Sequence, residues 1–293
     1  MAIPKSPDKP HNNTASHYDR DTRLFEYALR WRVSGWRAGA HKGSEEGRMG
    51  EFRRLVPFER APDSRLDLRS SLRDPFGKLH VRQVAQRTSA DIHALLDTSG
   101  SMAFGDGWRL HRAITIAQLF AQAAQAIHDR FGLAAGARSL ALYEPARHHG
   151  TQVQFEHLST ISVGGIQQAG LLQAAHLLGR RRKLVVLLSD FEFPEPQLDK
   201  LLSTLSGHDI VPIRLCEKVH DNLPRYGLLT VRDLETGHRR LLWLRPSLRA
   251  RWREQEDERQ QALARQFSRH GCRALDIPGK PDMLALTRHL RET

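Results

Sequence analysis

The feature that most constrains this chain is the apolar run Leu184-Val-Val-Leu-Leu188, which stops at Ser189-Asp190. Consecutive aliphatic residues without polar alternation suit a short strand covered on both faces. A second such run, Ala90-Asp-Ile-His-Ala-Leu-Leu96, stops at Asp97. After it, Trp108 to Arg130 carries Leu110, Ile114, Ala117, Phe120, Ala124 and Ile127 at helical spacing. Gly132 to Tyr143 predicts one or two strands, Thr151 to Phe155 another, and Leu171 to Leu178 a helix. Pro196 to Leu205 predicts a helix that starts just after prolines, and Asp209 to Leu215 a further strand. Strands alternating with helices imply right-handed crossovers. The expected fold class is therefore α/β, a doubly wound and mostly parallel sheet with helices on both faces.

The flanks divide the chain. Residues 1–20 are rich in Pro, Asn and His and are expected to be disordered. Residues 21–88 form an N-terminal segment expected to pack on the core. Within it, Thr22 to Trp36 has the pattern of one amphipathic helix. The glycine-punctuated basic stretch Gly35 to Gly50 predicts loops and turns, and the Arg-rich stretch Glu51 to Val84 short strands and turns. Residues 89–293 form the main domain with C-terminal additions. These are a hairpin of Leu228–Leu234 and Arg240–Leu244 around a Glu235-Thr-Gly237 turn, and a long charged helix from Ser247 to His270. A last strand, Arg273 to Ile277, and a last helix, Met283 to Leu290, complete the unit.

Composition narrows the class. At 40% hydrophobic and 27% charged residues, the 293-residue chain has the balance of a soluble globular protein. The net charge of +12 favours acidic partners, whether nucleic acid, an anionic membrane surface or an acidic protein face. The first residues contain no apolar signal-peptide core, and no stretch approaches the roughly 20 apolar residues that span a bilayer. Cys216 and Cys272 form no metal-ligand pair and read as buried free thiols, which suits a cytoplasmic location. Peripheral membrane contact stays open.

The chemistry lies at two strand tips. In an open parallel sheet, ligands bind beyond the carboxyl ends of the strands. Asp97-Thr98-Ser99-Gly100-Ser101 follows one predicted strand and Asp190 another. A carboxylate followed by hydroxyls two and four residues on can converge three oxygens on one point, and Asp190 can add a second carboxylate. Oxygen ligands with an open position suit a hard cation, Mg2+ first and Mn2+ or Ca2+ next. A partner's carboxylate can fill that position. The same residues are also good turn and cap formers, and only their placement at the two strand ends favours the metal.

The loop Asp97 to Met102 resembles the metal-ion-dependent adhesion site of von Willebrand A domains. Its surroundings resemble the bacterial domain-of-unknown-function 58 family, whose members accompany MoxR-type AAA+ ATPases. The residues that carry the resemblance are Gly39-Ala-His-Lys-Gly43, Gly47-Arg-Met-Gly-Glu-Phe52, the Arg-rich linker to Val81-Arg82, Asp97 to Gly105, and Leu188-Ser-Asp190. The resemblance implies that Asp97, Ser99, Ser101 and Asp190 are metal ligands. It also implies that Thr98, Gly100, Met102, Gly165, Ile166 and Gln167 line the partner-binding side. One departure is Ile166, which stands where such domains place a threonine hydroxyl and cannot coordinate. The implied role is an adaptor that couples a MoxR-type ATPase to a client protein during assembly or maturation of a complex.

Two other classes compete. The positive charge allows a nucleic-acid binder, but the sequence offers no reading helix and no aromatic stacking stripe. A metal-dependent hydrolase would need a base, and none is evident. A phosphatase-like Asp97 would want a second aspartate two residues on, where Ser99 stands. There is no Gly-x-Ser-x-Gly elbow and no P-loop ending. No catalytic residue is assigned.

Overall fold

The computed structural model describes residues 27, 29, 38–47, 51–60, 65–104, 108–148, 155–158, 161, 163, 164, 169–217, 226–232, 238–278 and 282–292. The predicted disordered terminus and hairpin turn lie outside them, as does the predicted helix from Thr22 except for Tyr27 and Leu29.

Among the described residues, twelve strands fall in three sheets. The N-terminal sheet is built on β4 (His80–Thr88), which is antiparallel to β1 (Ala38–Gly47), β2 (Glu51–Pro57) and the two-residue β3 (Arg65–Leu66). The expectation of loops over Gly35 to Gly50 is therefore corrected, since residues 38–47 form a strand. Strand β1 is irregular, with register shifts between Ala38 and His41 and between Lys42 and Glu46. Bulges of this kind let a glycine-bearing segment pair without regular alternation, which is why periodicity did not reveal it. The short helix α1 (Leu68–Leu72) is capped by Asp67, whose side chain accepts from Ser70 N at 2.9 Å.

The central sheet has the order β12-β9-β8-β5-β6-β7. Its strands are β5 (Asp91–Asp97), β6 (Arg130–Gly136), β7 (Leu140–Arg147), β8 (Leu184–Ser189), β9 (Asp209–Leu215) and β12 (Leu275–Ile277). Five run parallel, and β7 is antiparallel on the edge. Its helices are α2 (Trp108–Ala126), α3 (Ala169–Leu177), α4 (Glu195–Thr204), α5 (Pro246–Arg269) and α6 (Met283–Glu292). On one face Ile92, Ala94 and Leu96 pack with Ile116 and Phe120 of α2 and Leu286 and Leu290 of α6. On the other, Leu95, Val185 and Leu187 pack with Leu171 of α3, Leu201 of α4 and Phe267 of α5. This is the doubly wound α/β arrangement. A separate hairpin pairs β10 (Gly227–Arg232) with β11 (Arg239–Leu244). Among the described residues no helix is long and apolar enough to cross a membrane.

Two smaller expectations need correction. Phe155 opens a helical turn over 155–158 rather than closing a strand, and residues 151–154 lie outside the described ones. Cys272 is buried, with its thiol donating to the Phe267 carbonyl at 3.4 Å, but Cys216 is only half-buried.

A buried carboxylate joins the N-terminal residues to the core. Asp129, in the turn after α2, is 1% exposed. It accepts from Tyr27 Oη at 2.7 Å and Ala90 N at 2.7 Å, and lies 2.6 Å from His41 Nε2 of β1. Three partners offset the cost of taking that carboxylate out of water.

The start of α3 presses on the β6–β7 turn. A methyl group built at Gly170 would overlap the Ser139 carbonyl and lie 3.0 Å from Ala137 N. Gly170 N also donates to Ala137 O at 2.7 Å. Because the obstacles are backbone atoms, Gly170→Ala is expected to cost roughly 1–3 kcal/mol, read as a lower denaturant midpoint at unchanged slope. An unchanged midpoint would contradict this packing.

Candidate functional site

The sheet reverses its winding between β5 and β8, which places its topological switch point beside their carboxyl ends. Both tips are acidic. Asp97 ends β5, and Asp190 follows the last residue of β8. Asp97 is fully buried, while Asp190 is 5% exposed.

The loop after β5 folds back on its own acid. Asp97 Oδ1 accepts from Ser99 N at 2.8 Å, and Asp97 Oδ2 accepts from Ser189 Oγ at 2.6 Å. Ser189 Oγ in turn accepts from Phe191 N at 2.8 Å. Residues Gly100–Ala103 then form a 3-10 turn in which Ser99, at the cap position, makes no side-chain cap bond. Its hydroxyl instead lies 3.1 Å from that of Ser101. Oxygens bound side by side on one octahedral Mg2+ at about 2.1 Å sit about 3 Å apart, so this spacing is compatible with a shared cation.

The charge balance also fits a cation. Burial, and then the negative charge of Asp190, pushes the Asp97 carboxyl up to about 6. Two buried acids in proximity call for positive charge. Arg109, in the first turn of α2, supplies positive charge directly to Asp190. Its Nη1 donates to Asp190 Oδ2 at 2.5 Å, to Glu192 Oε1 at 3.3 Å and to the Ser101 carbonyl at 3.4 Å. The half-exposed Glu192 is held above the usual carboxylate range, by burial first and Asp190 second. Among the described residues no group of three or more His, Cys, Asp or Glu side chains gathers as a metal site. A cation held here would therefore depend on the serine hydroxyls as much as on the carboxylates.

Asp190 sits on a constrained turn. Phe191 has a φ of 55°, a region that bulky residues seldom adopt. Helix α5 braces it. The Phe267 ring meets the Phe191 ring edge-on at 5.0 Å, and Arg259 Nη2 donates to the Phe191 carbonyl at 3.1 Å. A cleft of about 540 Å³ opens alongside, with Arg109, Asp190 and Glu192 in one wall and Arg214, Arg253 and Arg259 among its other lining residues.

Of the residues expected at the site, Asp97, Ser99, Ser101 and Asp190 come together at the strand tips. Thr98 is 2% exposed, and its carbonyl accepts from Gly164 N at 3.0 Å, which brings Gly164 against the loop after β5. Gly165, Ile166 and Gln167 lie outside the described residues. Met102 needs correction as a partner contact, because its side chain is fully buried in the core cluster. Gly100 is buried as well. Ser189, Arg109 and Glu192 join the site without having been singled out in the sequence. Ser189 was visible as a hydroxyl beside the strand-tip acid. Arg109 gave no comparable signal, since it meets Asp190 across 81 positions.

The fold and its paired strand-tip acids define a doubly wound α/β domain with an acid and hydroxyl cluster at its switch point. The model of the family "Protein of unknown function DUF58" matches residues 64–262, more than half of the chain, and the chain belongs to that family. The chain is similar to a Paracoccus denitrificans protein described as lying in the moxR 3' region. The two are 38% identical over 104 residues, which is 35% of this chain and 99% of the other. An uncharacterised Mycobacterium tuberculosis protein is 25% identical over 280 residues, covering 90% of this chain and 85% of the relative. Among solved structures, the SpRpn10 VWA domain aligns with a TM-score of 0.38 at 13% identity, over 70% of this chain and 96% of that one. So low a score adds nothing to what the strand order establishes.

Proposed function

We propose that this protein is a metal-dependent interaction module of von Willebrand A type. Asp97, Ser99 and Ser101 hold Mg2+, Asp190 contributes directly or through water, and one of the two remaining octahedral positions takes a partner's carboxylate. Mn2+ or Ca2+ can replace Mg2+ by the same oxygen chemistry. The observation that carries this reading is the fully buried Asp97 carboxylate, within the electrostatic reach of Asp190 and followed in its loop by two serine hydroxyls 3.1 Å apart.

The partners we propose are a MoxR-type AAA+ ATPase and a client protein whose assembly it drives, in the cytoplasm. Support comes from the Paracoccus relative, whose description places it next to moxR. The role is binding rather than catalysis.

The test is affinity isolation from the native cell with the full chain as bait. With magnesium, the ATPase is expected among the captured proteins; with chelator, or with Asp97→Ala, it is expected to be lost. Equal capture under all three conditions would refute a metal-dependent adaptor.

A further inference from the structure

We infer that Arg109 is a resident counter-cation of the site, which neutralises Asp190 when no metal is bound and must give way when one arrives. This rests on the metal reading above and concerns how occupancy of that site is controlled.

The geometry is specific. Arg109 and Asp190 are nearly closed to solvent, with side chains 9% and 2% exposed. One nitrogen, Nη1, serves Asp190, Glu192 and the Ser101 carbonyl. It thus reaches from the carboxylate at the β8 tip to the backbone of the loop after β5, and it occupies Asp190 Oδ2, one of the oxygens proposed for the cation. The Arg109 Nε is buried with no hydrogen-bond partner. The guanidinium face lies over the Phe104 ring at 4.8 Å.

The consequence follows from Coulomb's law. A divalent ion and a guanidinium sharing one carboxylate repel each other strongly where the dielectric is low. Metal entry must therefore displace Arg109 or work against it, which keeps intrinsic metal affinity low. A partner carboxylate that joins the metal, or pairs with the displaced guanidinium, offsets that repulsion. Metal and partner would then bind cooperatively, each weakly alone.

Titration of the full-length protein with MnCl2 and with MgCl2 by calorimetry tests this, with melting measured in parallel. Arg109→Gln is expected to bind either ion ten- to a hundredfold more tightly than the wild type. Its metal-free melting temperature should fall, because Asp190 loses its cationic partner and keeps only the Glu192 N–H at 3.0 Å, and saturating metal should give it a larger gain than the wild type shows. Arg109→Lys keeps the charge and should stay near wild-type affinity. If the wild type binds metal and Arg109→Gln binds no tighter, the counter-cation role is overturned while the metal reading stands. If neither binds at millimolar ion, both fall. Should Arg109→Gln fail to fold, a crystal structure of the unaltered protein soaked in MnCl2 decides. The expected result is a guanidinium moved off Asp190 Oδ2, and one still bonded there beside the ion would overturn the inference.

Discussion

Asp97→Asn should make the metal-free protein more stable at pH 7.5 and insensitive to magnesium. The Asp97 carboxyl is pushed up to about 6 in the folded chain from an ordinary value of 3.8. A carboxyl whose folded value is raised favours the native state while it is protonated. That contribution is complete below the unfolded value near pH 4 and is lost as pH rises through 6. At about 1.4 kcal/mol per unit, ionising Asp97 costs the metal-free fold roughly 3 kcal/mol by neutral pH. The amide can accept from Ser99 N and donate to Ser189 Oγ without carrying that charge. The difference in unfolding free energy between variant and wild type should thus be largest above pH 7 and shrink as pH falls from 6 to 4. Magnesium at about a hundred times its dissociation constant should stabilise the wild type by roughly 2.7 kcal/mol and the variant hardly at all. Denaturant curves across pH, with and without magnesium, check both. Parallel pH profiles for the two proteins would show that the Asp97 charge is not the stressed group.

Phe267→Ala is expected to cost roughly 3–5 kcal/mol, the usual range for emptying a fully buried aromatic site. Phe267 is 1% exposed and anchors α5 to the second core face through Phe191. Its loss also removes the ring that braces the left-handed turn after Asp190. A drop below about 1 kcal/mol in the denaturant midpoint analysis would mean that α5 does not depend on this contact.

The two faces of this molecule differ in how far the sequence discloses them. Strands β5, β8 and β9 were legible because residues covered on both faces must be uniformly apolar, as Leu184 to Leu188 are. Helix α2 was legible from its periodic buried stripe. Strand β1 was not, because its pairing with β4 is carried by backbone bonds and interrupted by bulges. At the site, Asp97, Ser99, Ser101 and Asp190 could be listed in advance, since local loop chemistry and strand-end position both mark them. Arg109 could not. On a helix an arginine near the first turn is ordinary, and only the approach of the β8 tip turns it into the partner of Asp190. The fastening of Tyr27 and His41 onto Asp129 was hidden for the same reason, with separations of 102 and 88 residues.

Direct titration of the full-length chain with MgCl2, wild type beside Asp97→Asn, bears most immediately on the proposed site. The wild type should take up one ion per chain, and the variant should bind roughly a hundredfold more weakly or not at all. Equal binding by the two proteins, or none by either the wild type or Arg109→Gln at millimolar magnesium, would contradict a cation held between the tips of β5 and β8.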